Sequence, residues 1–252
     1  MPTTTATSRS YRETLIVLRT YQLGESDRII IGISSHHGLV RAVAKGVRRS
    51  TSKLGARLEP FMITDVSLVY GRNLDTVTQA VTRKAYAAPI VADYTSYTHA
   101  AGVAEVTEYL AQADEMTGNQ LFTLTAGALS ALARSTHDVT DIFNSFLIRS
   151  MKIAGWYIET ERCVRCGSDE DLRAWTMIDG GLVCSACAQA GDRPVTPEIV
   201  AYLRAVATGA WETIDGMADR TVAERVGTLL QRYVQWHVER EFRTFALLER
   251  NS

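Results

Sequence analysis

The chain has 252 residues, of which 46% are hydrophobic and 22% are charged, a composition typical of a soluble globular protein with one large domain or two to three small ones. No stretch approaches eighteen consecutive apolar residues, so the sequence does not predict a transmembrane helix. The net charge of −1 hides an asymmetry, because residues 1–85 carry 13 Lys and Arg against 6 Asp and Glu, a net +7, and residues 86–252 carry −8. Unless solvated charge is distributed by chance, this asymmetry indicates an anionic partner for the first part of the chain.

Residues 1–10 are predicted to be a short disordered lead, because the start is polar and lacks the apolar core of a signal peptide. After this lead, apolar residues alternate with a period of two. Strands are predicted at residues 14–21, 27–33, 39–46, 61–70 and 74–86, with glycine-containing or polar turns between them. Short strands with turns about every ten residues predict a small closed or nearly closed barrel.

The densest basic run lies in and around the predicted loop between the third and fourth strands. Its members are Arg41, Lys45, Arg48, Arg49, Lys53 and Arg57. The centre of the run has no apolar periodicity, which indicates an exposed loop, and cations on a barrel loop suit the phosphate backbone of a nucleic acid. Arg72, in the turn after the fourth strand, is a weaker candidate for the same role.

Aromatic residues that could stack on bases are sparse in this part of the chain. Tyr21, Tyr70 and Tyr86 are the candidates, and each could instead belong to the core. Electrostatic binding to strands of any sequence is therefore favoured over the reading of bases. His36 and His37 are expected to be exposed turn residues rather than metal ligands.

After Pro89 the apolar residues recur at intervals of three and four, which predicts helices. These run through about residues 91–114, 119–134, 139–155, 196–207 and 221–245, and Thr196 with Pro197 is a predicted helix start. The helical domain thus has a first part at residues 88–160 and a second part at 194–252. An insertion at residues 161–193, rich in loops, separates them.

All four cysteines of the chain lie in this insertion, as the pairs Cys163/Cys166 and Cys184/Cys187, with seventeen residues between the pairs. This is the spacing of a tetrahedral Zn²⁺ site. Four thiolates leave no position open for water, so one structural Zn²⁺ is predicted. The alternatives are unrelated cysteines or a dithiol–disulfide enzyme, but the latter needs a C-x-x-C motif at a helix start near a βαβ pattern, which is missing around Cys163.

Other sequence motifs of catalysis are missing. The chain contains no Walker A sequence, no Rossmann glycine fingerprint, no G-x-S-x-G and no H-E-x-x-H. We therefore do not expect an enzyme. With reduced, metal-binding thiols and no export signal, a cytoplasmic protein is expected.

Several stretches resemble RecO, a bacterial family of recombination and DNA-repair mediators. The sequence AKGVRR at residues 44–49, continued by RLEPF at residues 57–61, resembles a signature of that family. Residues 14–28 look like its first hairpin, and AGW at residues 154–156 followed by CVRCG at residues 163–167 is similar to its helix and cysteine knuckle. The resemblance covers essentially residues 11–245.

This resemblance implies an α+β multidomain protein with an OB-fold nucleic-acid-binding domain at residues 11–87, a helical domain and a zinc-binding insertion. It also implies binding to single- and double-stranded DNA, annealing of complementary strands and, with RecR, the loading of RecA onto DNA coated by single-strand-binding protein (SSB) in the RecF pathway. The location implied is cytoplasmic and nucleoid-associated, with no membrane as partner.

The acidic C-terminal tail of SSB is a further implied partner, and the helix at residues 139–155 is its predicted site. Arg149 and Lys152 lie beside the apolar stripe of that helix, so they are candidate contacts unless they are ordinary solvated cations. The chain departs from the family here, because the acidic residue expected beside Phe146 is missing.

Two other classes of protein fit the same residues. One is an RNA-binding or transcription-associated protein, since OB barrels and zinc knuckles also serve such proteins. The other is a non-catalytic interaction scaffold whose basic loop meets an acidic protein. Binding to matched DNA, RNA and acidic-peptide ligands across salt concentrations separates the three.

Overall fold

The computed structural model describes residues 10–113, 118–217 and 219–248. The chain divides into two compact units. The first unit comprises Met1–Asp93 and Ala104–Ala133, and the second comprises Tyr94–Val103 and Arg134–Ser252. Among the described residues, none of the helices is both long enough and apolar enough to cross a membrane.

The strands of the first unit form a closed barrel. They are β1 (Ser10–Leu23), β2 (Asp27–Ser34), β3 (Leu39–Ala44), β4 (Met62–Val69) and β5 (Asp75–Ala85). Their order around the barrel is β1-β2-β3-β5-β4, and all neighbours are antiparallel except β3 and β5, which are parallel. The predicted fold class is confirmed.

Strand β1 is the longest because its two neighbours pair with different parts of it, β4 with residues 10–16 and β2 with residues 15–23. It begins at Ser10, one residue inside the predicted disordered lead, and the rest of that lead lies outside the described residues. A register shift between Val17 and Arg19 bends the strand after the residues that pair with both neighbours. Such a bulge increases the local twist that a closed barrel needs.

The barrel interior is a cluster of thirteen buried apolar residues contributed by all five strands and by the segment between β3 and β4. Leu15, Leu58 and Leu68 are fully buried in it. On the opposite face of β1 and β2, Ile16 and Ile33 are also fully buried, and Ile31 is 5% exposed. This outer face is therefore covered, whereas six of the eleven residues of β5 are exposed and Arg41 is the exposed residue of β3.

The described helices are α1 (Ala87–Val91), α2 (Tyr94–Ala113), α3 (Gly118–Arg134), α4 (Val139–Ile153), α5 (Pro197–Thr208), α6 (Trp211–Asp215), α7 (Arg220–Val238) and α8 (Arg243–Leu248). Helix α5 begins where predicted, because the Thr196 hydroxyl accepts a hydrogen bond from Ile199 N and Pro197 occupies the first turn. The short helices α1 and α6 were not predicted. In the first unit, Arg19 of β1 forms an ion pair of 2.7 Å with Glu108 of α2.

The prediction of one helix through residues 221–245 was wrong. Helix α7 ends at Val238, and the next residue, Glu239, has the left-handed φ of 50°. The Gln235 side chain then accepts a hydrogen bond from Phe242 N, and Phe242, 2% exposed, packs against Phe245 at a ring distance of 4.8 Å. Burial of Phe242 therefore requires a turn where the apolar pattern alone indicated a continuous helix.

The cysteine insertion contains a small sheet that the sequence did not predict. Its strands are β6 (Leu172–Thr176), β7 (Gly181–Cys184) and β8 (Arg193–Pro194), in the order β7-β6-β8. Trp175 of β6, 1% exposed, makes an edge-to-face contact with Tyr233 of α7 at 5.6 Å. The sheet thus packs on α7, and its strand β7 ends at Cys184.

Candidate metal centre and nucleic-acid interface

The four cysteine sulfurs converge on one point. All four Sγ atoms lie within 4.8 Å of one another, and the Sγ atoms of Cys166 and Cys184 are 3.7 Å apart. Two sulfurs bound tetrahedrally to one ion at the usual zinc–sulfur distance of about 2.3 Å are about 3.8 Å apart. The spacing therefore fits a single four-thiolate metal site, and the predicted grouping of the cysteines is found.

Local backbone geometry explains why the cysteines meet. In the first knuckle, Gly167 has the left-handed φ of 78° and its N–H donates to the Cys163 carbonyl at 2.8 Å, which returns the chain so that both sulfurs face one side. The second knuckle begins at Cys184, the last residue of β7, and closes with Cys187 N donating to Cys184 O at 3.1 Å. Val164 N donates to Leu182 O at 2.9 Å and joins the two knuckles.

The thiols have unequal acidities. Burial opposes ionisation of Cys163, but hydrogen bonds from the backbone N–H groups of Cys184, Arg165 and Cys166 outweigh it and lower the pKa of Cys163 to about 6. Hydrogen bonds to the sulfurs of Cys166 and Cys184 raise the pKa of Cys187 to about 12. The backbone N–H groups thus favour the thiolate form of Cys163, which is the form in which cysteine binds a metal.

Arg165, between the cysteines of the first pair, connects the two halves of the insertion. Its guanidinium makes two hydrogen bonds to the Asp192 carboxylate, at 2.6 and 3.1 Å, and another to Asp179 at 2.9 Å. It also donates to the Cys187 carbonyl at 2.7 Å, so it holds the second knuckle directly. Arg165 is not among the residues predicted from the sequence, and an arginine inside C-x-x-C followed by nearby aspartates is the signal that could have found it.

Three of the predicted DNA-binding cations lie around the β1–β2 turn. Arg48 donates from its side chain to the Glu25 carbonyl at 3.0 Å and from its backbone to the Ser26 carbonyl at 2.9 Å. The hydrogen bond from Gly46 N, with smaller contributions from the charges of Lys45 and Arg49, lowers the pKa of Asp27 at the start of β2. The segment after β3 is thereby fixed against the turn, with Lys45, Arg48 and Arg49 exposed.

The remaining candidates have different environments. Arg41 is exposed on β3 and precedes Ala42, which pairs with Asp75 at the start of β5, so it lies beside the β4–β5 turn that carries the exposed Arg72. Lys53 is exposed in the segment between β3 and β4. Arg57 is half-buried and donates to the Ala80 carbonyl at 2.8 Å, so its cationic head already has a partner within the barrel wall.

Ion pairing distinguishes these cations from three other cations of the barrel. Arg19, Arg28 and Arg83 each form an ion pair with a carboxylate, at 2.7, 2.6 and 2.7 Å. Among the described residues, the seven predicted DNA-binding cations form no ion pair with a carboxylate; neither do the exposed Arg12 and Lys84, which the sequence analysis did not select. Cations without a carboxylate partner are the ones available to phosphate.

The β2–β3 turn differs from its prediction in one respect. His36 and His37 are exposed as expected, but both contact Glu13 of β1, a carboxylate that is 6% exposed. Ser35 and Thr14 N also donate to it, at 2.6 and 2.9 Å. The sequence gives little sign of this cluster, because Glu13 lies at an alternating strand position far from the histidines along the chain.

The predicted tail contacts on α4 are both exposed. Arg149 lies near Gly209, the C-terminal cap of α5, and Lys152 Nζ is 5.6 Å from the centre of the Tyr157 ring. A cavity of about 370 Å³ in the same unit lies elsewhere, with Phe143 and Arg232 among its lining residues. In this unit a cation therefore adjoins an aromatic side chain both on α4 and at the cavity.

Comparison with known protein families gives two matches. A family model described as Recombination protein O N terminal matches residues 9–86, and one described as Recombination protein O C terminal matches residues 91–245. The first match covers the barrel, and the second covers the helices together with the cysteine insertion. The two family models together match most of the chain. This agrees with the resemblance to RecO that the sequence shows at residues 44–61 and 154–167.

Proposed function

Because the chain belongs to the RecO family of DNA-repair and recombination proteins, we propose that it binds single- and double-stranded DNA through its barrel and anneals complementary strands without a catalytic centre. With RecR, it helps to load RecA onto SSB-coated DNA in the cytoplasm, at the nucleoid. The observation that supports this proposal best is the set of exposed cations without carboxylate partners beside the β1–β2 and β4–β5 turns. These are the loops by which OB folds hold oligonucleotides.

The candidate DNA-binding residues have unequal parts in this proposal. Arg41, Lys45, Arg48, Arg49 and Lys53 contact phosphates, and Arg72 extends the path to the β4–β5 turn. Arg57 contributes less, because its side chain is half-buried and its guanidinium bonds to the Ala80 carbonyl within the barrel wall, whereas Arg48 is exposed. Since the groups available are cations rather than arrays of amides and carboxylates, the binding has little sequence preference.

The metal in this proposal is one structural Zn²⁺ held by Cys163, Cys166, Cys184 and Cys187. A Zn²⁺ ion bound there offsets the thiolate charges and fixes the two knuckles to each other. With four protein ligands it has no position for water, so it does not perform hydrolysis. The DNA-binding residues lie in a different unit of the chain, and their arrangement is independent of the metal.

The experiment that tests the function is strand annealing of SSB-coated complementary oligonucleotides by the purified full-length protein. We expect the protein to accelerate annealing and the double variant Arg48→Ala/Arg49→Ala to lose most of this acceleration. Arg83→Ala is the matched control, because Arg83 is an exposed barrel cation already paired with Asp65. No acceleration by the wild-type protein, or tighter binding to matched RNA or to an acidic peptide than to DNA, contradicts the proposal.

We further propose that the SSB tail binds to the second unit through Arg149 and Lys152. A tail that ends in a carboxylate next to an apolar residue requires a cation beside an apolar surface. The pair on α4 meets this requirement, with Tyr157 as the aromatic neighbour of Lys152. The cavity lined by Phe143 and Arg232 is the competing location.

Titration with a tail peptide distinguishes the two locations. Charge reversal by Arg149→Glu or Lys152→Glu should weaken peptide binding, and the binding should also weaken as salt is raised. If both variants bind as the wild type does and Arg232→Glu does not, the tail occupies the cavity instead.

A further inference from the structure

Tyr70, directly after β4, presents an exposed aromatic ring at the barrel end that carries the β4–β5 turn. The residue is 53% exposed. Its ring stacks on Tyr11 of β1, with the centroids 4.5 Å apart and the planes inclined by 27°. One face of the ring is therefore supported by another aromatic side chain, and much of the remainder is accessible to solvent.

The support beneath Tyr70 is fixed by a single carboxylate. One oxygen of Asp75 accepts a hydrogen bond of 2.5 Å from the Tyr11 hydroxyl, and the other accepts one of 3.0 Å from Gly71 N. Asp75 thus holds both the ring beneath Tyr70 and the residue that follows Tyr70. Only glycine fits at position 71, because an added Cβ would lie 1.8 Å from the Leu74 carbonyl oxygen.

The side of Tyr11 is supported as well. Its ring centroid is 5.1 Å from that of His37, and His37 Nδ1 contacts the buried carboxylate of Glu13 at 2.5 Å. Tyr11 also packs against the barrel core. The stacked pair is therefore anchored to the barrel core through Tyr11, so ordering it requires little further loss of side-chain freedom on binding.

The other two tyrosines named by the sequence are less suited to stacking. The Arg19 guanidinium lies 4.7 Å from the centre of the Tyr21 ring and also pairs with Glu108, so one face of Tyr21 is already occupied by a cation. Tyr86 is only partly exposed where β5 runs into α1. Tyr70 alone among the three combines an exposed ring with an aromatic backing, and the exposed cation Arg72 follows it by two residues.

From this arrangement we propose that Tyr70, backed by Tyr11, is a stacking platform for an unpaired base of single-stranded DNA. The inference rests on the proposed DNA binding and adds to it a contact that distinguishes single strands from duplex. A base in a duplex is already stacked on its neighbours, whereas an unpaired base gains a partner on the tyrosine ring. The cations fix the backbone of either form, and Tyr70 favours the single strand.

The test compares an oligodeoxythymidine with an abasic oligonucleotide of the same length, using the full-length protein and several salt concentrations. Tyr70→Leu keeps an apolar side chain over Tyr11 but removes the aromatic face, and Tyr70→Phe keeps that face. We expect Tyr70→Leu to bind oligodeoxythymidine about fivefold or more weakly than the wild type. Its salt slope should be unchanged because no phosphate contact is lost, and Tyr70→Phe should bind like the wild type.

On the abasic strand, wild type and Tyr70→Leu should bind equally. A Tyr70→Leu variant that binds oligodeoxythymidine as tightly as the wild type overturns the platform, as does an equal loss on both strands. Thermal unfolding of each variant checks the barrel, and Tyr70→Ala provides a second loss of the ring if Tyr70→Leu is unstable. If the wild type binds neither strand, the proposed DNA binding itself fails. If the wild type binds both strands with a steep salt slope but Tyr70→Leu binds oligodeoxythymidine as tightly, the stacking platform alone fails.

Discussion

The barrel and the cysteine insertion are stabilised in opposite ways. The barrel closes all its strand edges and encloses thirteen buried apolar residues, so its fold depends on burial spread over many side chains. The insertion has a sheet of three short strands, and its ends are held by four sulfurs and by the contacts of Arg165. Its structure therefore depends on a few residues and, as proposed above, on a bound Zn²⁺.

This difference determines where function can be placed. The loops of a barrel with an independent core can carry exposed cations and an exposed tyrosine, since replacing them removes no core contact. In the insertion, by contrast, the residues proposed to bind Zn²⁺ are also the ones that hold the fold, because metal binding and folding are one equilibrium in such small sites. This difference supports the proposal that the barrel binds DNA and that the metal has a structural role.

Removal of one metal ligand should have the largest effect. Structural zinc contributes about 10–16 kcal/mol of apparent binding free energy in small peptides, so Cys166→Ser should lose the ion and unfold the insertion while the barrel stays folded. Metal analysis and limited proteolysis check this, with cleavage expected within residues 161–193. Ala186→Ser, in the other knuckle, is the control and should keep one Zn²⁺ per chain. A wild-type protein without zinc contradicts the assignment.

A substitution in the barrel core should destabilise the barrel and leave the metal bound to the insertion. Leu68 is fully buried among the core side chains, and truncation of such a leucine costs about 2–5 kcal/mol. Leu68→Ala should therefore lower the free energy of unfolding of the barrel in denaturant titration without releasing zinc. Val81→Ala, at a residue 62% exposed on β5, should change stability little. Zinc loss in Leu68→Ala before unfolding would show that the two regions are not independent.

Substitution of Arg165, which lies between two of the cysteines, should have an intermediate effect on zinc affinity. Arg165 bonds to the Cys187 carbonyl and to Asp192, and loss of residues that orient metal ligands typically weakens metal binding by about 10- to 100-fold. Arg165→Ala should show such a loss in competition with a chromophoric chelator. Arg162→Ala, at an exposed position of the same insertion, should bind zinc like the wild type. Equal affinities in the two variants remove Arg165 from this role.

Lowering the pH should destabilise the barrel through protonation of Glu13. Burial opposes its ionisation, but hydrogen bonds from Ser35, His37, His36 and Thr14 N lower the pKa of Glu13 from 4.5 to about 2. Since the folded-state pKa is depressed, the carboxylate stabilises the barrel fully above about pH 4.5, and this contribution is lost as the pH falls towards 2.

Glu13→Gln measures that contribution. Its stability should be lower than that of the wild type at neutral pH, and the difference should shrink between pH 4.5 and 2. Denaturant unfolding at a series of pH values gives the comparison. A constant difference across this range shows that the charge of Glu13 does not stabilise the fold.

The features that were predicted correctly from the sequence are those that depend on local residue patterns. The alternation of apolar residues placed all five barrel strands, and the C-x-x-C spacing placed the sulfurs together. Features that depend on contacts between distant residues were missed: the Glu13 cluster joins β1 to the β2–β3 turn, and the carboxylate of Asp75 joins β1 to the turn before β5. The break after α7 was missed for the same reason, because the burial of Phe242 decides it.

The separation of DNA binding from metal binding is tested most directly by the salt dependence of affinity for single-stranded DNA. The measurement compares the wild type, Arg48→Ala/Arg49→Ala and Cys166→Ser side by side. Each phosphate contact on a single strand contributes a slope of about −0.7 in log K against log salt, so the double arginine variant should bind more weakly with a slope flatter by about one to two. Cys166→Ser should keep the wild-type slope. A wild-type slope in the double arginine variant, or a flattened slope in Cys166→Ser, would contradict the account.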